Sequence, residues 1–131
     1  MRHVALFVRD LEACVEFYTG LMGMEVEWRP DAQNVYLTCG CDNLALHQAC
    51  TDHARDECAQ RLDHIGFLQK NAEDVDNWFE FLHDHGVRIR SRPRTHRDGA
   101  RSFYCYDPDG TVLQIIHHPP VVDWEQMRGV N

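Results

Sequence analysis

Apolar and polar residues alternate from residue 3 to 8. Val4, Leu6 and Val8 share one side and His3, Ala5 and Phe7 the other, the period of two expected of a half-buried strand. The period then lengthens. Asp10 is placed to cap a helix whose Leu11, Cys14, Val15, Tyr18 and Leu21 or Met22 recur at helical spacing, until Gly20 and Gly23 stop it. Short strands are predicted over 25–28, 34–38 and 43–47, the last two joined by a turn at Cys39-Gly40-Cys41-Asp42. A polar stretch, 49–61, reads as a connector.

The same order then repeats, displaced by about 61 residues from His3 to His64. A strand follows Asp63-His64, and a helix over 73–83 carries Val75, Trp78, Phe79 and Leu82 at i, i+3, i+4 and i+7 and ends at His85-Gly86. Strands are predicted over 88–92, 101–106 and 111–117. Pro93 and Asp98-Gly99 mark a loop between the first two, and Asp107-Pro108-Asp109-Gly110 makes a hairpin turn between the others. Each half therefore reads strand, helix, strand, strand, strand. The expected fold is α+β, two βαβββ modules (about 2–48 and 62–118) forming a curved mixed sheet around a cavity within a single domain. The tail, 119–131, opens with Pro119-Pro120 and contains Val121, Val122, Trp124 and Met127, apolar enough to pack on the domain or on a second subunit.

Composition narrows the class. At 131 residues, 44% of them hydrophobic, the chain can bury a core without disulfide or metal staples. No apolar run approaches the roughly 20 residues a membrane helix needs. The first residues enter a strand with no leader pattern, so a cytoplasmic protein is expected. The 6 cysteines are irregularly spaced, without the C-x-x-C pairing of a zinc site, and read as reduced thiols. A formal net charge of −8 argues against a nucleic-acid partner. Arg88, Arg90, Arg92, Arg94, Arg97 and Arg101 form a basic cluster, read first as a solvated edge and second as an anion-binding wall.

Strand parity sorts the side chains. Val4, Leu6, Leu44, Leu46, Ile65, Phe67, Leu113 and Ile115 make an apolar set suited to lie under the helices. The opposite set, His3, Ala5, Ala45, His47, His64, Gly66, Gln114 and Ile116, mixes small and polar groups that would fill a core poorly and suit the lining of a site. Either histidine alone would read as an ordinary polar strand residue. Equivalent positions in a duplicated module favour a metal or substrate role for His3 and His64. His83 and His85 read as surface residues, and the adjacent His117 and His118 cannot face one site together.

The paired modules, His3 in Arg-His-Val-Ala-Leu, Phe17-Tyr18 followed by Leu21-Met22-Gly23-Met24, Asp63-His64-Ile65-Gly66-Phe67 and the Asp107-Pro108-Asp109-Gly110 turn together resemble the vicinal oxygen chelate superfamily over about residues 2–118. That superfamily includes glyoxalase I, extradiol dioxygenases, fosfomycin-resistance enzymes and metal-free bleomycin-binding proteins. The 34–47 stretch together with the second module's Asp-His-Ile-Gly-Phe looks most similar to extradiol-type modules.

The resemblance implies metal ligands at four equivalent strand positions, which fall here on His3, Ala45, His64 and Gln114. Ala45 has no donor atom, and Gln114 offers a neutral carboxamide where relatives usually place glutamate. The expected metal set is thus His3, His64 and Gln114, holding Fe, Mn, Ni or Zn. His47, one pleat beyond Ala45, is expected as a third ligand or a base, and Tyr104 as a second catalytic group. Tyr36, Arg101 and Tyr106 are expected to contact substrate.

The function implied is a metalloenzyme of the glyoxalase or dioxygenase type, acting on a small molecule with adjacent oxygens, extradiol-like chemistry being favoured over lyase or isomerase chemistry. The expected assembly is a homodimer, with no nucleic-acid or membrane partner. The rival expectations are a metal-free sequestering protein of the bleomycin-resistance type, and a structural subunit whose cavity is plugged by Phe7, Leu68 and Ile116.

Overall fold

The computed structural model describes residues 1–50 and 61–121. The first module runs β1 (His3–Val8), α1 (Leu11–Glu16), β2 (Glu25–Asp31), β3 (Asn34–Thr38) and β4 (Asn43–Gln48). The second runs β5 (Ile65–Leu68), α2 (Ala72–Asp84), β6 (Ile89–Thr95), β7 (Arg101–Tyr106) and β8 (Val112–His117). Two four-stranded sheets result, ordered β1-β4-β3-β2 and β5-β8-β7-β6. In each the first strand pairs in parallel with the last, and the remaining pairs are antiparallel. Each module thus makes its own mixed sheet. The chain divides into two compact units accordingly, the first taking in Pro108–Gly110 as well as the first module.

In the first unit the Asp10 carboxylate caps α1 by accepting from the Ala13 N–H at 3.0 Å. The helix then widens into a π turn over Phe17–Leu21. The added residue per turn lets the consecutive Phe17 and Tyr18 both point inward, where Tyr18 is fully buried. Met22, rather than Leu21, completes the stripe. Leu6, Val8, Val35, Leu37, Leu44 and Leu46 form the sheet's side of this core. Asp109, at the tip of the β7–β8 turn, accepts from the Arg9 backbone N–H at 2.7 Å.

In the second unit Asp74 anchors the start of α2, its carboxylate accepting from the Asn71 backbone N–H at 3.0 Å. Gly86, with φ 74°, ends it. Val75, Phe79 and Leu82 pack on Phe103, Leu113 and Ile115, with Phe79 meeting Phe103 edge-on at 5.5 Å between ring centres. β6 does not stop at Pro93 but continues to Thr95, and β2 likewise runs through Pro30. Both are edge strands with register shifts, where a residue lacking an N–H breaks no ladder.

Among the described residues no helix is long and apolar enough to cross a membrane. Cys39, Cys41, Cys50 and Cys105 carry free thiols. Cys58, most of the connector and the tail from Val122 onward lie outside the described residues.

Candidate functional site

The parity read from the sequence is realised on both sheets. In the first unit, His3, Ala5 and Phe7 of β1 stand beside Asn43, Ala45 and His47 of β4, and Asn34 and Tyr36 of β3 lie opposite His47 and Ala45. The second unit repeats this cross-strand row, with Gly66 beside Gln114 and Gln114 beside Tyr104. Tyr36 and Tyr104 are therefore equivalent residues, one paired with Ala45 and the other with Gln114.

Three histidines on these faces share one feature, an acceptor at Nδ1. In the first unit, His3 Nδ1 lies 2.7 Å from Asn43 Oδ1, and Asn43 Nδ2 donates to Glu27 at 2.5 Å. His47 Nδ1 lies 2.6 Å from Asn34 Oδ1, and Asn34 Nδ2 donates to both Asp31 carboxylate oxygens at 2.8 and 3.0 Å. In the second unit, His64 Nδ1 lies 2.6 Å from Asp63 Oδ2.

The physical consequence is a fixed tautomer. A carboxylate only accepts, so each asparagine must turn its NH2 toward the acid and its oxygen toward the imidazole. Each Nδ1 must then carry the proton. Each Nε2 is left with a lone pair, the state in which histidine binds a metal or takes up a proton. The Gln33 N–H and the Asn34 side chain hold the Asp31 carboxyl below its ordinary range, which keeps the acid ionised.

Gln114 sits in a polar network of its own. Its Nε2 donates to Tyr104 Oη at 2.9 Å and to Ser102 Oγ at 3.2 Å, and the buried Ser102 also meets His96 Nε2 at 3.0 Å. That leaves the amide oxygen as the metal-binding atom of this side chain. The His64 ring lies edge-on to Tyr104, 5.3 Å between centres. Gly66 keeps the neighbouring space open, since a Cβ there would meet only Ile116 Cγ2, at 3.9 Å.

Aromatic rings border His47 in the first unit. Trp28 stacks on Tyr36 at 5.2 Å, Tyr36 stands perpendicular to His47 at 5.9 Å, and Phe7 lies 6.0 Å from His47. Phe7 and Trp28 are 69% and 58% exposed, so they border an open face rather than plug it. Ala45, fully buried, supplies no donor atom.

Arg101 and Tyr106, the other expected substrate contacts, are both engaged within the second unit. Arg101 has the parity of Phe103 and Cys105, on the helix side, and forms a two-pronged ion pair with Asp76 of α2 at 2.6 and 2.7 Å. It does not reach the face of Tyr104 and Gln114. Tyr106 shares that face but is buried, with the Arg88 guanidinium 4.1 Å above its ring.

The donor chemistry suits a divalent cation in part. Imidazole Nε2 atoms and an amide oxygen are ordinary ligands, and His3 and His64 are each oriented through Nδ1 as metal-binding histidines are. Among the described residues, however, no group of three His, Cys, Asp or Glu side chains is arranged to hold a metal.

Reading strand parity alone did not identify Asn34, Asn43, Asp31, Glu27, Ser102 or His96 as partners. For Asn34 a signal was present. The turn at 39–42 places Thr38 next to Asn43 across the hairpin, and counting back from there sets Asn34 opposite His47.

The family model of the Glyoxalase/Bleomycin resistance protein/Dioxygenase superfamily matches residues 1–115. The chain is 31% identical over 118 residues to the metallothiol transferase FosB of Staphylococcus epidermidis, covering 88% of this chain and 79% of that protein. It is 29% identical over 156 residues to a 2-epi-5-epi-valiolone epimerase of Actinomyces sp, covering 99% and 85%. In fold it is similar to the crystal structure of lactoylglutathione lyase from Agrobacterium tumefaciens, with a TM-score of 0.73 and 22% identity over 89% of this chain and 92% of that one.

Proposed function

This chain belongs to the Glyoxalase/Bleomycin resistance protein/Dioxygenase superfamily, and from that premise we propose that it is a small-molecule enzyme using a divalent metal, with candidate protein ligands at His3 in the first unit and at His64 and Gln114 in the second. The observation that carries this reading is the tautomer of the two histidines. Asn43 and Asp63 each occupy Nδ1 and leave Nε2 to the metal. The bound cation would act as a Lewis acid toward adjacent oxygens of the substrate.

Of the two chemistries expected from the sequence, lyase or isomerase chemistry has more support than extradiol cleavage. Extradiol-type oxygenases rely on two histidines and a carboxylate around ferrous iron. Gln114 stands at the carboxylate position here. Proton-transfer chemistry needs a base and an acid instead. His47 carries an Nε2 lone pair, and Tyr104, whose oxygen accepts from Gln114, keeps its own O–H to donate to a substrate oxygen. The similarity to an epimerase points the same way. Tyr36, the counterpart of Tyr104, is the substrate contact in the first unit. We place the protein in the cytoplasm as a homodimer.

The test is metal content by mass spectrometry on untagged protein purified anaerobically, comparing wild type with His64→Ala. Near-stoichiometric Fe, Mn, Ni or Zn that is lost in the variant supports the reading. The absence of metal from both after reconstitution would leave the metal-free sequestering protein, which the missing donor at Ala45 favours.

A further inference from the structure

The first module contains a side-chain relay that the ligand set does not use. Asp31, Asn34 and His47 are joined in series across the β2–β3 turn and the β3–β4 ladder, and each link has one permitted direction. The carboxylate accepts from the amide NH2, and the amide oxygen accepts from the imidazole Nδ1–H. We infer that Asp31 and Asn34 are positioning residues that hold His47 as a base, with its Nε2 lone pair presented on the open face of the first unit to take a proton from an acidic O–H or C–H of the substrate.

The step balances within this chain. The proton passes to His47 Nε2, its bonding electrons remain on the substrate as an oxyanion or enolate, and the positive charge gained by the ring is offset through Asn34 by the Asp31 carboxylate. The second unit has no such arrangement at the corresponding pair, where Ser102 and Ile116 stand opposite each other. Ala45 and Gln114 carry no carboxylate to act as base, so the relay fills a role the ligand positions leave open.

Three features separate this from a structural hydrogen bond. The Gln33 backbone N–H also donates to Asp31, at 2.8 Å, and fixes the acid before the relay begins. Phe7 and Tyr36 confine the imidazole ring from two sides. His47 itself is only half-buried, beside the exposed Phe7, so its ring is reachable. The inference rests on reading this face as the place where substrate is handled, but not on any metal.

The test needs no substrate. In the full-length protein, nitrogen-15 NMR of the imidazoles should show His47 protonated at Nδ1 and bare at Nε2. Asn34→Leu should reverse or mix the tautomers, while Asn34→Asp, which keeps an acceptor at that point, should restore Nδ1–H. Carbethoxylation, which attacks a bare ring nitrogen, should label His47 roughly tenfold more slowly in Asn34→Leu at constant pH, the worth of about one hydrogen bond in the tautomer balance. The exposed His83 should be unchanged. If Asn34→Leu fails to fold, Asp31→Leu gives the same readout, because Asn34 is then free to turn its amide.

The inference is overturned if wild-type His47 carries its proton on Nε2, or if neither variant changes tautomer and labelling rate. Loss of metal binding with the relay intact would sink the metal reading and leave this one standing.

Discussion

Gln114 donates through its Nε2 to Tyr104 Oη, 2.9 Å away, across neighbouring strands of the second sheet. The amide spends its hydrogens on Tyr104 and Ser102, so it holds the tyrosine while contributing no charge.

Replacing that amide by a carboxylate should strengthen metal binding. Gln114→Glu adds one negative charge at the ligand, and we expect divalent metal to be held about tenfold more tightly or better, about 1.4 kcal/mol. Competition with a chromogenic chelator measures it. Equal or weaker retention would show that this side chain is a wall and not a ligand.

Ser102 links His96 to Gln114 from a buried position. Ser102→Ala should leave those partners without their hydroxyl and cost about 1–3 kcal/mol in urea unfolding, the penalty for stranding buried polar groups. A change below the error of the extrapolation would mean that both partners find replacements.

The second core should be sensitive to its central ring. Phe103 is fully buried and meets Phe79 edge-on. Phe103→Ala should cost about 3–5 kcal/mol, which thermal unfolding would register as a large drop in midpoint. A small drop would show that α2 collapses onto the gap.

Arg101 holds the Asp76 carboxyl below its usual range through its side-chain hydrogen bonds. Because the folded form gives up this proton more readily than the unfolded form, the pair adds stability above the ordinary aspartate pKa of about 4. That contribution is lost as pH falls through the lowered value. The pair is partly exposed, so the loss should stay under about 1 kcal/mol. Unfolding curves for wild type and Asp76→Asn should converge at acid pH; a constant gap down to pH 2 would refute the assignment.

Thiol labelling should be selective. Burial, with help from Asp107, pushes the Cys105 thiol up to about 12, and burial together with Asp42 and Cys41 pushes Cys39 to about 11. Near pH 8, iodoacetamide should modify the exposed Cys41 and Cys50 first, Cys39 slowly and Cys105 only after unfolding. Peptide mass spectrometry would show the order, and early labelling of Cys105 would contradict its burial.

Local pattern was enough to set out the modules. Alternation assigned His3, Ala45, His47 and Gln114 to one side of their strands and Leu6, Leu44, Leu113 and Ile115 to the other, because a pleated strand repeats every two residues whatever it packs against. The duplication made His3 and His64 equivalent, and the capping residue Asp10 was readable from its place before an apolar stripe.

Long-range pairing decided the rest. Whether Arg101 faced a substrate or a helix depended on Asp76, 25 residues away in sequence. Pro93 could stay inside a strand because β6 lies at a sheet edge. Which nitrogen of His47 carries its proton depended on an asparagine brought opposite by the β3–β4 hairpin, and on an acid beyond it. A sequence sets the chemistry of each side chain and its local period; the partner that orients a donor or fixes a tautomer is chosen only when strands distant in the chain are brought into register.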